Sequence, residues 1–188
     1  MNKYLNYWGL IFVIVILIPN IVFAITCKDG FENRYQNKLV EFLEQIGRFG
    51  CFFSMFLIIP FTNSGYWFKQ GKTVYLVLGV ILVVLYCLGW IVFWKEDSIR
   101  KSLYLSIIPS LLFIESGIIS GNILLLIFAV IFAPCHILIS YMNAVLIWSD
   151  GKGILSRTLW CDDLCFGCSS DKSDRRLEKD WQVTTWLL

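Results

Sequence analysis

The side chains suited to chemistry are few in this chain. His136 is its only histidine, and an imidazole exchanges a proton near neutral pH without special perturbation. Ser140 and Asn143 follow at i+4 and i+7, so the three share one helix face. Far upstream, the segment YQNKLVEFLEQIGRFG places Glu41, Glu44 and Arg48 on one stripe of a second helix, with Leu39, Phe42, Leu43, Ile46 and Phe49 opposite. Glu44 and Arg48 stand four apart with the acid first, the favourable order for a helical ion pair. Carboxylate, guanidinium and imidazole are the groups a hydrolytic or proton-carrying centre needs, provided that Glu44 and His136 converge. Asn20, after Pro19, and Glu115 are further polar residues in apolar runs. Such groups are costly in lipid and so point to function, although hydrogen bonding between helices is the plainer use for them.

The elements that must position these residues follow from composition. Apolar residues make up 57% of the 188 positions and charged residues 16%, where soluble domains carry roughly a quarter charged. Apolar runs of roughly 17–26 residues separate the charges, long enough as helices to cross a hydrocarbon core. The expected fold is an all-α integral membrane protein: a bundle of about five transmembrane helices, a cytoplasmic amphipathic segment and a short polar C-terminal tail. The spans are expected at about 7–26, 46–62, 74–94, 103–119 and 123–148, with 149–188 a weakly ordered tail. The 41–48 stripe is expected to lie on the membrane before turning into the second span. Aromatic residues near the span ends, among them Trp8, Tyr66, Trp67, Trp90, Trp94 and Tyr141, read as interfacial anchors.

Orientation follows from Lys and Arg. With the N-terminus outside, nine lie inside (28, 34, 38, 48, 95, 100, 101, 152 and 157) against three outside (3, 69 and 72). The expected location is therefore the plasma (inner) membrane, multi-pass, with N-terminus out and C-terminus cytoplasmic. A cleaved signal peptide is the alternative for the first span, since V-F-A at 22–24 resembles a cleavage site, but cleavage would put the basic 28–48 segment outside. A net charge of +2 with no basic patch excludes nucleic acid as an expected partner. The expected partners are the lipid bilayer and, since five spans make a small carrier alone, further copies or other membrane subunits.

The tail carries LWCDDLCFGCSS, with Cys161, Cys165 and Cys168 at C-x3-C-x2-C spacing. This spacing is similar to that of the radical S-adenosylmethionine enzymes, which hold a four-iron cluster on three thiolates. That family puts an aromatic residue directly before the last cysteine, where this chain has Gly167. A zinc site would need Asp162, Asp163 or Asp171 as its fourth ligand. No metal and no cofactor are expected.

One further resemblance bears on the polar stripe. Glu44-Gln45-Ile46-Gly47-Arg48 and Phe132-Ala133-Pro134-Cys135-His136 are similar to two elements of the CAAX-prenyl-protease and bacteriocin-processing family of intramembrane proteases, E-E-x-x-x-R and F-x-x-x-H. The resemblance implies a membrane-embedded hydrolase using Glu44, Arg48 and His136. The chain departs from the family in having a single acid for the doublet and no second histidine. The leading expectation is a transporter-like bundle or membrane-complex subunit with His136, Ser140 and Asn143 as a polar path; the alternative is the hydrolase.

Overall fold

A computed structural model describes residues 5–26, 35, 37–94 and 98–161, with side chains as far as residue 146. Among the described residues there are five helices: α1 Tyr7–Thr26, α2 Lys38–Phe56, α3 Gly71–Val92, α4 Ile99–Ser120 and α5 Ile123–Cys161. Among the described residues there is no strand, only two isolated bridge pairs, Leu5 with Leu57 and Asn63 with Asn122. Four helices are long and apolar enough to cross a membrane: α1, α3, α4 and the Ile123–Leu146 part of α5.

Local chemistry sets the boundaries. Asn37 caps α2 by accepting from the Val40 amide at 3.4 Å, and Ser98 caps α4 by accepting from the Lys101 amide at 3.3 Å. Gly121 ends α4 in the left-handed region at φ 63°, where a side chain would be strained. Asn122 then starts α5, its Oδ1 accepting from the Leu125 amide at 3.1 Å.

The helices close into a ring. α5 lies between α2 and α4, α3 packs on α4, and α1 bridges α3 back to α2. One end of the ring is tied by hydrogen bonds around Asn122: the Asn6 amide donates to Phe56 O at 2.7 Å, Ser64 N to Gly121 O at 3.0 Å and Ile123 N to Thr62 O at 3.0 Å. At the opposite end, the Tyr35 amide donates to Asn143 Oδ1 at 2.9 Å. These are called the Asn122 end and the Asn143 end below.

Three expectations change here. The second helix is one continuous element from Lys38 to Phe56, not a membrane-lying segment followed by a span at 46–62. It stops at Phe56 because Leu57 turns extended and Pro60, three residues on, has no amide to continue the ladder. α5 continues past Trp148 to Cys161, so the 149–188 tail begins as helix; Cys165 and Cys168 lie outside the described residues. Trp90 is no surface anchor but a core residue, packed on Phe23 at a ring-centroid distance of 4.9 Å, whereas Trp8, Tyr66, Trp67 and Tyr141 are exposed.

Candidate functional site

α2 is amphipathic with its faces reversed from those of a soluble helix. Leu39 and Phe42 are 69% and 65% exposed, and Ile46, Phe49 and Phe53 continue that outer face. Glu44 and Arg48, 1% and 8% exposed, face into the ring. The stripe expected to meet water therefore meets α5.

Glycine makes that contact possible. A Cβ placed on Gly47 would lie 2.8 Å from the Phe132 Cα and Cβ, and one on Gly50 would overlap the Phe128 ring. Small residues let two helix backbones approach closely enough for their side chains to meet. One turn beyond Phe132, His136 reaches Glu44: its Nδ1 lies 3.0 Å from Glu44 Oε1 across 92 residues of sequence. The same oxygen accepts from Arg48 Nε at 3.0 Å and from the second guanidinium nitrogen. Phe132 stacks on the imidazole, with centroids 4.6 Å apart and planes 19° from parallel.

The hydrogen-bond roles follow from donor chemistry. Arg48 only donates, so Glu44 accepts as a carboxylate. His136 Nδ1 must then carry the hydrogen in this contact, which leaves Nε2 of the neutral ring as an acceptor. The arrangement is a carboxylate that orients an imidazole, with its position locked by an arginine and its ring plane by a phenylalanine. Such a pair can take up a proton at Nε2 and stabilise the imidazolium that results.

The other expected residues are distributed as follows. Asn20 is on α1, its Oδ1 accepting from the Tyr86 hydroxyl at 2.8 Å. Asn143 is buried and holds the backbone that leads into α2, a structural tie, while Ser140 is half-buried on the α5 face between it and His136. Glu41 is half-buried one turn before Glu44. Glu115 lies in the other half of the ring, near the Asn122 end, where Ser116 donates to its Oε2 at 3.5 Å. Glu44, Arg48 and His136 thus converge, and Glu115 is not part of the group. Among the described residues no three His, Cys, Asp or Glu side chains are placed to hold a metal ion.

Sequence reasoning missed five contributors. Asn20, Glu44, Tyr86, Ser106 and His136 sit at one depth, roughly 18–22 Å from the Asn122 end at 1.5 Å per residue, so each of the five helices supplies a polar group to one layer. Tyr86 and Ser106 are buried there; a tyrosine in mid-run was the available signal for the first. Lys101, counted as an interfacial cation, is buried, with its Nζ 4.9 Å from the Phe23 ring centroid. Gly47 and Gly50 were legible as small residues beside the stripe, but their partner helix was not. No known family model, curated protein or solved structure matches this chain.

Proposed function

We propose that this chain is a five-span membrane protein whose working part is an acid–base centre of Glu44, Arg48 and His136, acting as a membrane-embedded hydrolase. The observation that carries the reading is the 3.0 Å contact of Glu44 Oε1 with His136 Nδ1 between α2 and α5. α2 is the fifth span: its outward face is apolar, and its 19 residues extend for about 28 Å. Lipid would cover Leu39, Phe42, Ile46, Phe49 and Phe53, and the charges would be sheltered by their partners. With Lys and Arg concentrated on the Asn143 side, the centre falls in the cytoplasmic half of a plasma-membrane protein with its N-terminus outside.

In the hydrolytic step His136 Nε2 takes a proton from water as the hydroxide adds to a carbonyl carbon. The imidazolium, held by Glu44, then returns that proton to the departing group. Arg48 keeps Glu44 ionised and in place. The local likeness to the CAAX-protease elements agrees with this use of the same three residues.

A second reading, a proton-coupled carrier or membrane-complex subunit working with further copies, is favoured by one observation: His136, Ser140 and Asn143 share one face of α5. Proteoliposomes separate the two. Hydrolysis of quenched-fluorescent, membrane-partitioning peptides that disappears in His136→Ala and Glu44→Gln supports the first reading. A pH-driven flux, followed with an enclosed pH dye and abolished by the same substitutions, supports the second. The absence of both activities from the unaltered protein would sink the acid–base centre as a working site.

A further inference from the structure

Among the described residues, Phe61 is the most exposed of the large apolar side chains, at 104%. It lies in the stretch 46–62 expected as a span, but α2 stops at Phe56 and residues 57–70 form a connection to α3. Ile59, Tyr66, Trp67 and Phe68 along that connection are exposed as well. Its tip is the turn Ile59-Pro60-Phe61-Thr62, closed by the Thr62 amide donating to Ile59 O at 3.3 Å. Proline in the second place and a positive φ in the third make the pattern of a type II turn, which calls for glycine in that third place. Here the third residue is Phe61, at φ 79°. The other described residues with positive φ, Gly65 and Gly121, are both glycines. The Phe61 ring gains no packing from the fold while its backbone is held in a strained region. An aromatic side chain kept in such a place points to contacts outside the chain.

The surroundings identify the partner. Thr62 O accepts from the Ile123 amide at 3.0 Å, and the Ser64 amide donates to Gly121 O at 3.0 Å. The turn is thereby fixed at the level where α4 ends and α5 begins. Farther along, Tyr66 packs on Tyr75 of α3 with ring centroids 6.2 Å apart. Trp8 on α1, Phe53 on α2 and Ile123 on α5 are exposed apolar residues at this same end. Lys69 and Lys72 follow the aromatic residues, both exposed, and no Asp or Glu occurs between Glu44 and Glu96. Aromatic rings with adjoining lysines, at the depth where a hydrocarbon core gives way to head groups, match a phospholipid surface.

We propose that residues 57–70 dock into the phospholipid head-group layer at the Asn122 end, with the Phe61 ring reaching below the phosphates and Lys69 and Lys72 meeting them. The turn then fixes the height of α4 and α5 in the bilayer, since the junction of both is bonded to it. The inference rests on the membrane reading of the chain and not on the acid–base centre.

The test places para-trifluoromethyl-phenylalanine in place of Phe61 in the full chain, in phosphatidylglycerol nanodiscs, and reads fluorine relaxation. One sample carries a phospholipid with a doxyl group near its head, the other a water-soluble gadolinium chelate. The same label in place of Phe49, on the outward face of α2, is the reference for a residue in lipid. The expected result at Phe61 is relaxation several times stronger from the doxyl lipid than from the chelate. Lys69→Glu combined with Lys72→Glu should cut the doxyl effect at Phe61 by about half, because two groups drawn to an anionic surface become repelled by it. The fold tolerates the change, since an acid at 72 lies in the first turn of α3, where the helix dipole favours it. Relaxation of the Phe61 label by the chelate, with the Phe49 label reached by the doxyl lipid, overturns the docking alone. Relaxation by neither reagent means that protein covers the ring, and overturns it too. Chelate relaxation of both labels overturns the membrane reading itself. A doxyl effect unchanged by the lysine reversal overturns the part given to Lys69 and Lys72.

Discussion

The two ends of the ring spend their polar groups differently. At the Asn122 end, side chains serve the backbone. Asn122 donates to Ser54 O at 2.8 Å while capping α5, and Asn6 Oδ1 accepts from the Gly9 amide at 3.3 Å. Each satisfies a main-chain group that the end of a helix leaves open, which any buried helix terminus requires. In the Asn143-end half, Glu44 Oε1 meets both Arg48 and His136, side chain to side chain. Apolar residues of similar size would serve packing as well or better. A requirement of folding explains the first set, and the second asks for another cause. Charge held in a low-dielectric interior where packing does not call for it is what the proposed acid–base centre rests on.

Substitutions can break this contrast at either end. The largest effect is expected from Gly47→Leu, because the Phe132 backbone leaves no room for a side chain. Forcing α2 from α5 should cost about 3 kcal/mol or more and abolish the folded peak in detergent size-exclusion chromatography. Glu44→Ala should follow at about 3–5 kcal/mol, since it strands Arg48 buried without its carboxylate. Thermal unfolding would measure that loss, and the double substitution Glu44→Leu with Arg48→Met should restore most of the stability while leaving the site inert. A double variant as unstable as Glu44→Ala would make the ion pair structural and erase the contrast.

Asn122→Ala should cost about 1–2 kcal/mol through the lost cap and its bond to Ser54, with no change at His136. The single histidine makes that readable: a ring-labelled sample reports His136 alone, and its Nδ1–H tautomer should persist in Asn122→Ala and vanish in Glu44→Gln. The smallest effect belongs to Tyr86→Phe, about 0.6 kcal/mol, as is usual for a hydrogen bond between membrane helices. A change several times larger would mean that Tyr86 and Asn20 help to hold Arg48 in place.

Much of this was legible residue by residue. Apolar run lengths located α1, α3, α4 and the start of α5 closely, because in lipid a run long enough to cross has only helix available to it. The Glu44–Arg48 stripe was legible as a helix face and His136 as its possible partner. The direction in which the stripe points was not. Amphipathicity gives two faces, and only the neighbouring helix decides which is inside; Gly47 against Phe132 turns the charged face inward, where a surface reading sends it to water. Lys101 and Trp90 were misplaced for a related reason, since closeness to a span end says nothing about burial among Phe23 and the rings around it.

The sequence by itself determined a helical bundle of membrane character, the periodicity of each helix and the short supply of titratable groups. Those are properties of single segments, fixed by rise per residue and by the cost of an unsatisfied amide. Only the tertiary structure decided that Glu44 and His136, 92 positions apart, share a hydrogen bond, and that α2 shows its apolar face outward. Both depend on how closely two helix backbones approach, a quantity that belongs to the pair and to neither helix alone.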